Sequence, residues 1–214
     1  MLDTRLILIE GFPGAGKTTT AVELGERLQQ QGIPSRWHLE VDDPHPIACL
    51  DFKLRDLRSK LPPLWRDFTR KTGQSSELHI IESRLWQNTI LFMYMIDYQF
   101  HDLLELQQLV AAELTALSPV LVYLHQDDVQ KAILRLPTIR DEQTLARDFA
   151  TTRKYPWFRS RDLADLDGWV QFFGEWAGVA EALYLEWPYH KQKVLNAHED
   201  WERAIQQIFQ GLGL

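Results

Sequence analysis

Arg5-Leu-Ile-Leu-Ile-Glu10 followed by Gly11-Phe-Pro-Gly14-Ala-Gly16-Lys17-Thr18-Thr19 is the stretch from which the rest of the chain can be read. Its first half is a short apolar run closed by turn residues, the pattern of a parallel strand buried on both faces. From Lys17 the periodicity changes. Ala21, Leu24, Gly25 and Leu28 share one helical face, and Gly32 and Pro34 close the segment. Strand, glycine-rich turn and helix thus follow one another within about thirty residues, the context in which a backbone can cradle an anion.

Residues Gly11 to Thr18 fit G-x-x-x-x-G-K-[ST]. Glycines let the chain turn tightly and approach phosphate oxygens, where successive N–H groups and the positive helix end hold the charge. Gly11, Phe12, Pro13, Gly14, Ala15, Gly16, Lys17, Thr18 and Thr19 are therefore the expected cradle for the phosphates of ATP. Lys17 reaches the β- and γ-phosphates, and the Thr18 hydroxyl completes a Mg²⁺ shell.

Downstream, the expected strands are Ser35 to Glu40, Leu78 to Glu82, Pro119 to Leu124 and Lys191 to Asn196. Helical stretches separate them at about 47–72 (broken at Pro62-Pro63), 86–98, 101–117, the segment marked by Trp169 to Trp187, and one carrying Trp201 to Phe209. Asp127 or Asp128 can cap a helix bearing Lys131 and Arg135. Strands alternating with helices predict an α/β domain with a parallel sheet and helices on both faces. The 214 residues suit one domain, 1–214, without repeats or linkers. Residues 137 to 162 mix both charge signs with weak periodicity and read as a mobile segment.

Ile9-Glu10-Gly11-Phe-Pro-Gly14-Ala-Gly16-Lys17-Thr18-Thr19 resembles the opening of thymidylate kinases and their P-loop nucleoside and nucleotide kinase relatives. The motif covers roughly the first 30 residues, and a matching element order extends it. The resemblance implies a P-loop NTPase fold with a five-stranded parallel sheet, a phosphate-acceptor site opposite the loop, and an arginine-bearing helical lid, here around 127–162. It also implies that the turn Asn196-Ala-His198 after the last strand lines the adenine with its backbone, with Asn196 as the candidate contact. Two positions depart from the pattern. Pro13 stands where thymidylate kinases usually carry an acid, and Glu82-Ser83-Arg84 stands where they carry an Asp-Arg pair, so the acceptor stays open among nucleosides, nucleotides and other small metabolites.

Other candidates come from the residues themselves. Glu82 ends a buried-looking strand beside the loop, where a carboxylate accepts a hydroxyl proton or organises Mg²⁺. Arg84 is a catalytic candidate on the next turn, with Gln87 beyond it. Arg135, Arg140, Arg147, Arg153, Arg159 and Arg161 offer a lid guanidinium for the transferring phosphoryl group. Glu40, Asp42, Asp43 and His45 follow the second strand and could hold an acceptor's hydroxyls or amine, with a His/Asp metal site as the alternative. Trp37, Trp65 or Trp86 could stack on an aromatic acceptor.

The formal net charge of −7 opposes polyphosphate backbones and argues against nucleic acid. Cys49, the single cysteine, excludes an intrachain disulfide framework and reads as a small buried hydrophobe in a reducing compartment. Neither a signal-peptide profile nor an apolar run of about 18 residues is found, so a cytoplasmic chain with no membrane partner is expected. The apolar helices around 86–117 offer a face for a homodimer. The expected activity is ATP-dependent phosphoryl transfer to a small-molecule acceptor. A regulatory ATPase or switch acting through a protein partner is the alternative. A GTPase switch is disfavoured because no N-K-x-D-like motif occurs and Asp165-Leu-Asp-Gly168 lacks a preceding apolar strand.

Overall fold

The computed structural model describes residues 3–49, 53–163 and 165–214. Five strands, β1 (Leu6–Gly11), β2 (Ser35–His38), β3 (Leu78–Glu82), β4 (Val120–His125) and β5 (Lys191–Leu195), form one sheet in the order β2-β3-β1-β4-β5. Every pairing is parallel. All five strands therefore end at one edge, and the loops that leave that edge can meet.

The pleat distributes side chains to two helical layers. On one face Trp37 of β2 packs against Gly25 of α1 (Lys17–Gln30), where a Cβ would sit 2.1 Å from the indole. On the other, Tyr123 of β4 meets Trp86 and Tyr184 at ring separations of 5.3 and 5.7 Å. Tyr184 belongs to α9 (Leu166–Leu185), and α10 (Trp201–Gly211) lies beside α1 and β5. The strand interiors Leu6, Ile7, Leu8 and Ile9 are fully buried, as a sheet covered on both faces requires.

Three expectations change. Residues 47–49 and 53 are not helical, and 50–52 lie outside the described residues. The helix there, α2 (Leu57–Thr72), runs through Pro62 and Pro63 instead of breaking at them. Each interior proline costs about 3 kcal/mol. Leu57, Leu61, Trp65 and Phe68 are all buried on this helix, each contributing about 1.5–3 kcal/mol, so packing outweighs the local penalty. Third, the stretch read as weakly periodic is folded as short helices.

After α3 (Leu91–Met95) and α4 (Phe100–Leu114), the segment past β4 forms α5 (Val129–Leu134), α6 (Leu136–Ile139), α7 (Glu142–Thr152) and α8 (Pro156–Arg159). Asp128 caps α5 by accepting from the Lys131 amide at 2.8 Å, and Asp141 caps α7 by accepting from Thr144 at 2.8 Å. Leu145, Trp157 and Phe158 are buried under it, so few large apolar residues anchor a mainly polar surface. Leu103, Leu106, Val110, Leu114 and Leu117, the apolar series between 101 and 117, are buried within the chain itself. No helix among the described residues is long and apolar enough to cross a membrane.

Candidate active site

The turn after β1 carries Gly14 and Gly16 at φ 76° and 89°, the left-handed region that side chains other than glycine's rarely enter. Gly16 caps α1, so the positive end of that helix opens at a cavity lined by Gly14, Gly16 and the first helical residues. That cavity, about 520 Å³, is walled by Gly14, Lys17, Thr18, Glu82, Arg140 and Trp201 among others. Lys17 is 6% exposed, and its Nζ donates to the Phe12 carbonyl at 2.9 Å. Burial holds its pKa below the usual lysine value, opposed by Glu82, Glu40 and Glu10. An arriving polyanion would favour the charged form further.

Glu82 leaves β3 on the face of the sheet that α1 covers, and its Oε1 accepts from Thr18 Oγ1 at 2.9 Å. Its Oε2 accepts from the Glu40 amide at 3.2 Å. Thr18 and Glu82 are thus brought together across 64 residues of sequence. A hydroxyl and a carboxylate side by side at the mouth of this cavity form an oxygen donor set of the kind Mg²⁺ takes.

Glu10 was not anticipated as a site residue. One residue before the cradle, it points to the opposite face, is fully buried, and accepts from the Leu85 amide at 2.7 Å and the Gln87 amide at 3.3 Å. Burial pushes its pKa up from 4.5 to about 7, against those amides and Lys17. It fixes the turn after β3, which begins with Ser83 at φ 62°, a strained conformation for a non-glycine residue. The signal was an acid closing an otherwise apolar strand.

That turn decides where Arg84 goes. Its side chain is 1% exposed and does not line the phosphate cavity. Its Nη2 donates to the Glu40 carbonyl at 2.7 Å, so it supports the backbone of the loop after β2. Gln87 does reach the site, and its Nε2 donates to Glu40 Oε2 at 3.0 Å. Glu40 consequently stands on the wall shared by the phosphate cavity and a second cavity of about 430 Å³. Phe92, Trp169 and Phe173 supply aromatic surface to this second cavity, and Asn88, Arg140 and Arg147 supply polar groups.

Trp37, Trp65 and Trp86, the tryptophans expected to stack on an acceptor, line neither cavity. Trp65 and Trp86 are core, and the Trp86 Nε1 donates to Gln107 Oε1 at 2.7 Å. The Asn196 side chain is engaged within the turns: its Oδ1 accepts from the Asp127 amide at 3.1 Å and its Nδ2 donates to Asp127 Oδ2 at 3.2 Å. His198 and Trp201 represent that turn in the cavity wall. Among the lid arginines, Arg135 donates to the Gly14 carbonyl at 2.9 Å and Arg140 lines both cavities, paired with Asp148 at 2.8 Å. Arg161 instead lies over the Trp157 ring at 4.3 Å. Among the described residues, no cluster of three or more His, Cys, Asp or Glu could hold a metal ion. Cys49 is buried.

The thymidylate kinase of Ehrlichia chaffeensis superposes over 99% of each chain with a TM-score of 0.56 at 12% identity. The chain has the fold of the P-loop kinases. The YorR protein of Bacillus subtilis, solved in complex with phosphorylated GDP, matches 98% of this chain and 96% of its own at 16% identity and a TM-score of 0.53. APE1195 matches 100% and 97% at 14% identity and a TM-score of 0.56. At such identities the fold is what is shared. No protein-family model matches the chain, and no curated protein matches it in sequence.

Proposed function

We propose that this chain is a kinase that transfers the γ-phosphoryl group of ATP to a hydroxyl of a small, planar acceptor of the nucleoside or nucleotide class. The observation that carries the reading is the place of Glu40, on the wall between the phosphate cavity and the aromatic-lined second cavity. Gln87 holds one of its oxygens, and among the described residues its Oε1 makes no hydrogen bond. A hydroxyl presented from the second cavity would give its proton to that oxygen as its own oxygen bonds to the γ-phosphorus and the bond to the β-phosphate oxygen breaks.

The other residues divide the remaining work. Loop amides and Lys17 hold the phosphates in line, and Arg140 is placed to meet charge spreading over the transferring group. Thr18 and Glu82 would hold Mg²⁺, which when bound neutralises charge on the β- and γ-oxygens. Phe92, Trp169 and Phe173 suit a flat ring. Gln87 and Asn88 line the same cavity with amide side chains, whose donor and acceptor groups suit a ring edge. A regulatory ATPase would leave the second cavity without a use.

The test is ADP release from Mg·ATP with pooled nucleosides, nucleotides, sugars and aminoglycoside-like alcohols. One nucleoside or nucleotide pool should stimulate turnover, Lys17→Ala should abolish the stimulation, and Glu40→Gln should lower it about 10²- to 10⁴-fold with little change in ATP binding. Stimulation by no pool, or full turnover in Glu40→Gln, would refute the reading.

A further inference from the structure

Two glycines of the phosphate loop meet different walls of the cavity. A Cβ on Gly14 would lie 3.0 Å from Ile139 and 3.1 Å from Leu136, both in the lid segment. A Cβ on Gly16 would fall 1.7 Å from Cη2 of Trp201, so the benzo edge of that indole rests directly on the loop. Trp201 is half-buried and lines the cavity. With phosphates on the loop amides, and with Glu82, Glu40 and Gln87 facing the cation and the acceptor, the base of a bound nucleotide is left the side bounded by Trp201, His198 and Ile139.

The Asn196 and His198 side chains of the turn after β5 are engaged or enclosed. Both amide atoms of Asn196 pair with Asp127. The Asn196 carbonyl accepts from the Glu199 amide at 2.9 Å, and the Ala197 carbonyl accepts from the Asp200 amide at 3.3 Å. His198 Nδ1 has no hydrogen-bond partner, but it is buried in the protein and presents no surface to the cavity. What this end offers is an aromatic ring, the apolar Ile139 side chain, and Arg135, whose Nη2 already donates to the Gly14 carbonyl at 2.9 Å. Every nucleobase has a π-face, so stacking accepts them all, whereas telling adenine from guanine requires hydrogen bonds to the ring edge.

We propose that Trp201 is the stacking platform for the base of the phosphoryl donor, and that the site is base-tolerant, taking ATP, GTP, CTP and UTP alike. The proposal rests on the triphosphate-site reading given above and adds the donor class to it.

The experiment measures calorimetric binding of the Mg²⁺ complexes of the non-hydrolysable β,γ-imido analogues of ATP and GTP, of CTP and UTP without acceptor, and of inorganic tripolyphosphate. The proteins are wild type, Trp201→Phe and Trp201→Leu, the last keeping apolar contact with Gly16 but no π-face. The four nucleotides should bind wild type within about tenfold of one another. Trp201→Leu should weaken all four by about five- to 150-fold, about 1–3 kcal/mol at 1.36 kcal/mol per tenfold, with tripolyphosphate unchanged and Trp201→Phe close to wild type. A preference above a hundredfold for one base would overturn the tolerance. Equal weakening of tripolyphosphate and nucleotides would show that Trp201 supports the loop by packing and would overturn the platform. Failure of wild type to bind tripolyphosphate and nucleotides would overturn the triphosphate site itself, and the platform with it.

Discussion

Glu10→Gln changes how the stability of the fold responds to pH. The Glu10 carboxyl is fully buried, and burial pushes its pKa from 4.5 to about 7. As pH rises past 4.5, the unfolded chain releases this proton while the folded chain keeps it until about 7, so folding stability falls across that window. At 1.36 kcal/mol per pH unit the full loss is about 3 kcal/mol. His45 acts in the opposite sense. Its pKa is pushed down to about 4, mainly by burial, so the unfolded chain binds the extra proton below 6.5 and stability rises between about 4 and 6.5. His38, its pKa also pushed down to about 4 mainly by burial, adds to the rising trend; wild type carries these opposed trends together, and glutamine removes the falling one. Urea denaturation of wild type and Glu10→Gln at intervals from pH 4.5 to 7.5 isolates the difference. The variant should gain about 3 kcal/mol relative to wild type over that range, about 6–12 °C in midpoint temperature for a chain of this size. A difference that does not change with pH would refute the argument that this buried carboxylate, and not the shape of its side chain, sets the pH response.

Gly16→Ala should destabilise by about 1–2 kcal/mol for a side chain at positive φ and about 1–3 kcal/mol more for the collision with Trp201. Adding Trp201→Ala should remove the collision part, and a double-mutant cycle by thermal denaturation that shows no coupling would contradict the packing. Thr18→Ala and Glu82→Gln should each raise the Mg²⁺ concentration that gives half-maximal turnover, and the double variant should be less impaired than the product of the two; independent effects in a Mg²⁺ titration would mean that the pair does not share an ion. Arg140→Ala should lower kcat by about 10³-fold or more if its guanidinium meets the transferring group, whereas Arg161→Ala, whose side chain covers Trp157, should leave kcat within about threefold. Equal losses in steady-state assays of the two variants would mean that arginine loss acts through lid packing.

Much of this protein was legible where neighbours in sequence are also neighbours in space. The cradle from Gly11 to Thr19 needs its glycines, lysine and threonine in one short run, and the apolar strand and amphipathic helix flanking it are local patterns. β3 and the approach of Glu82 to Thr18 follow from strand periodicity and parallel pairing beside β1. The resemblance carried by the loop anticipated the sheet around it. Local pattern misled where packing outweighed propensity, as in α2 running through Pro62 and Pro63, and in the polar 137–162 stretch, where a few buried aromatics and caps suffice for helices.

What only the tertiary structure decided depends on the directions of turns. Ser83 in the left-handed region sends Arg84 to the Glu40 backbone instead of the phosphates, and Glu10 secures that turn through two amides. Glu40 becomes the wall between two cavities because β2 ends beside β3, a juxtaposition that no spacing along the chain encodes. Trp201, read in sequence as one apolar position of the last helix, gains its place because Gly16, 185 residues earlier, has no side chain where the indole rests. Residue type and local period determined the elements and the glycine-rich loop, whereas which side chains meet between them was decided by the fold, which brings within a few ångströms residues far apart in sequence.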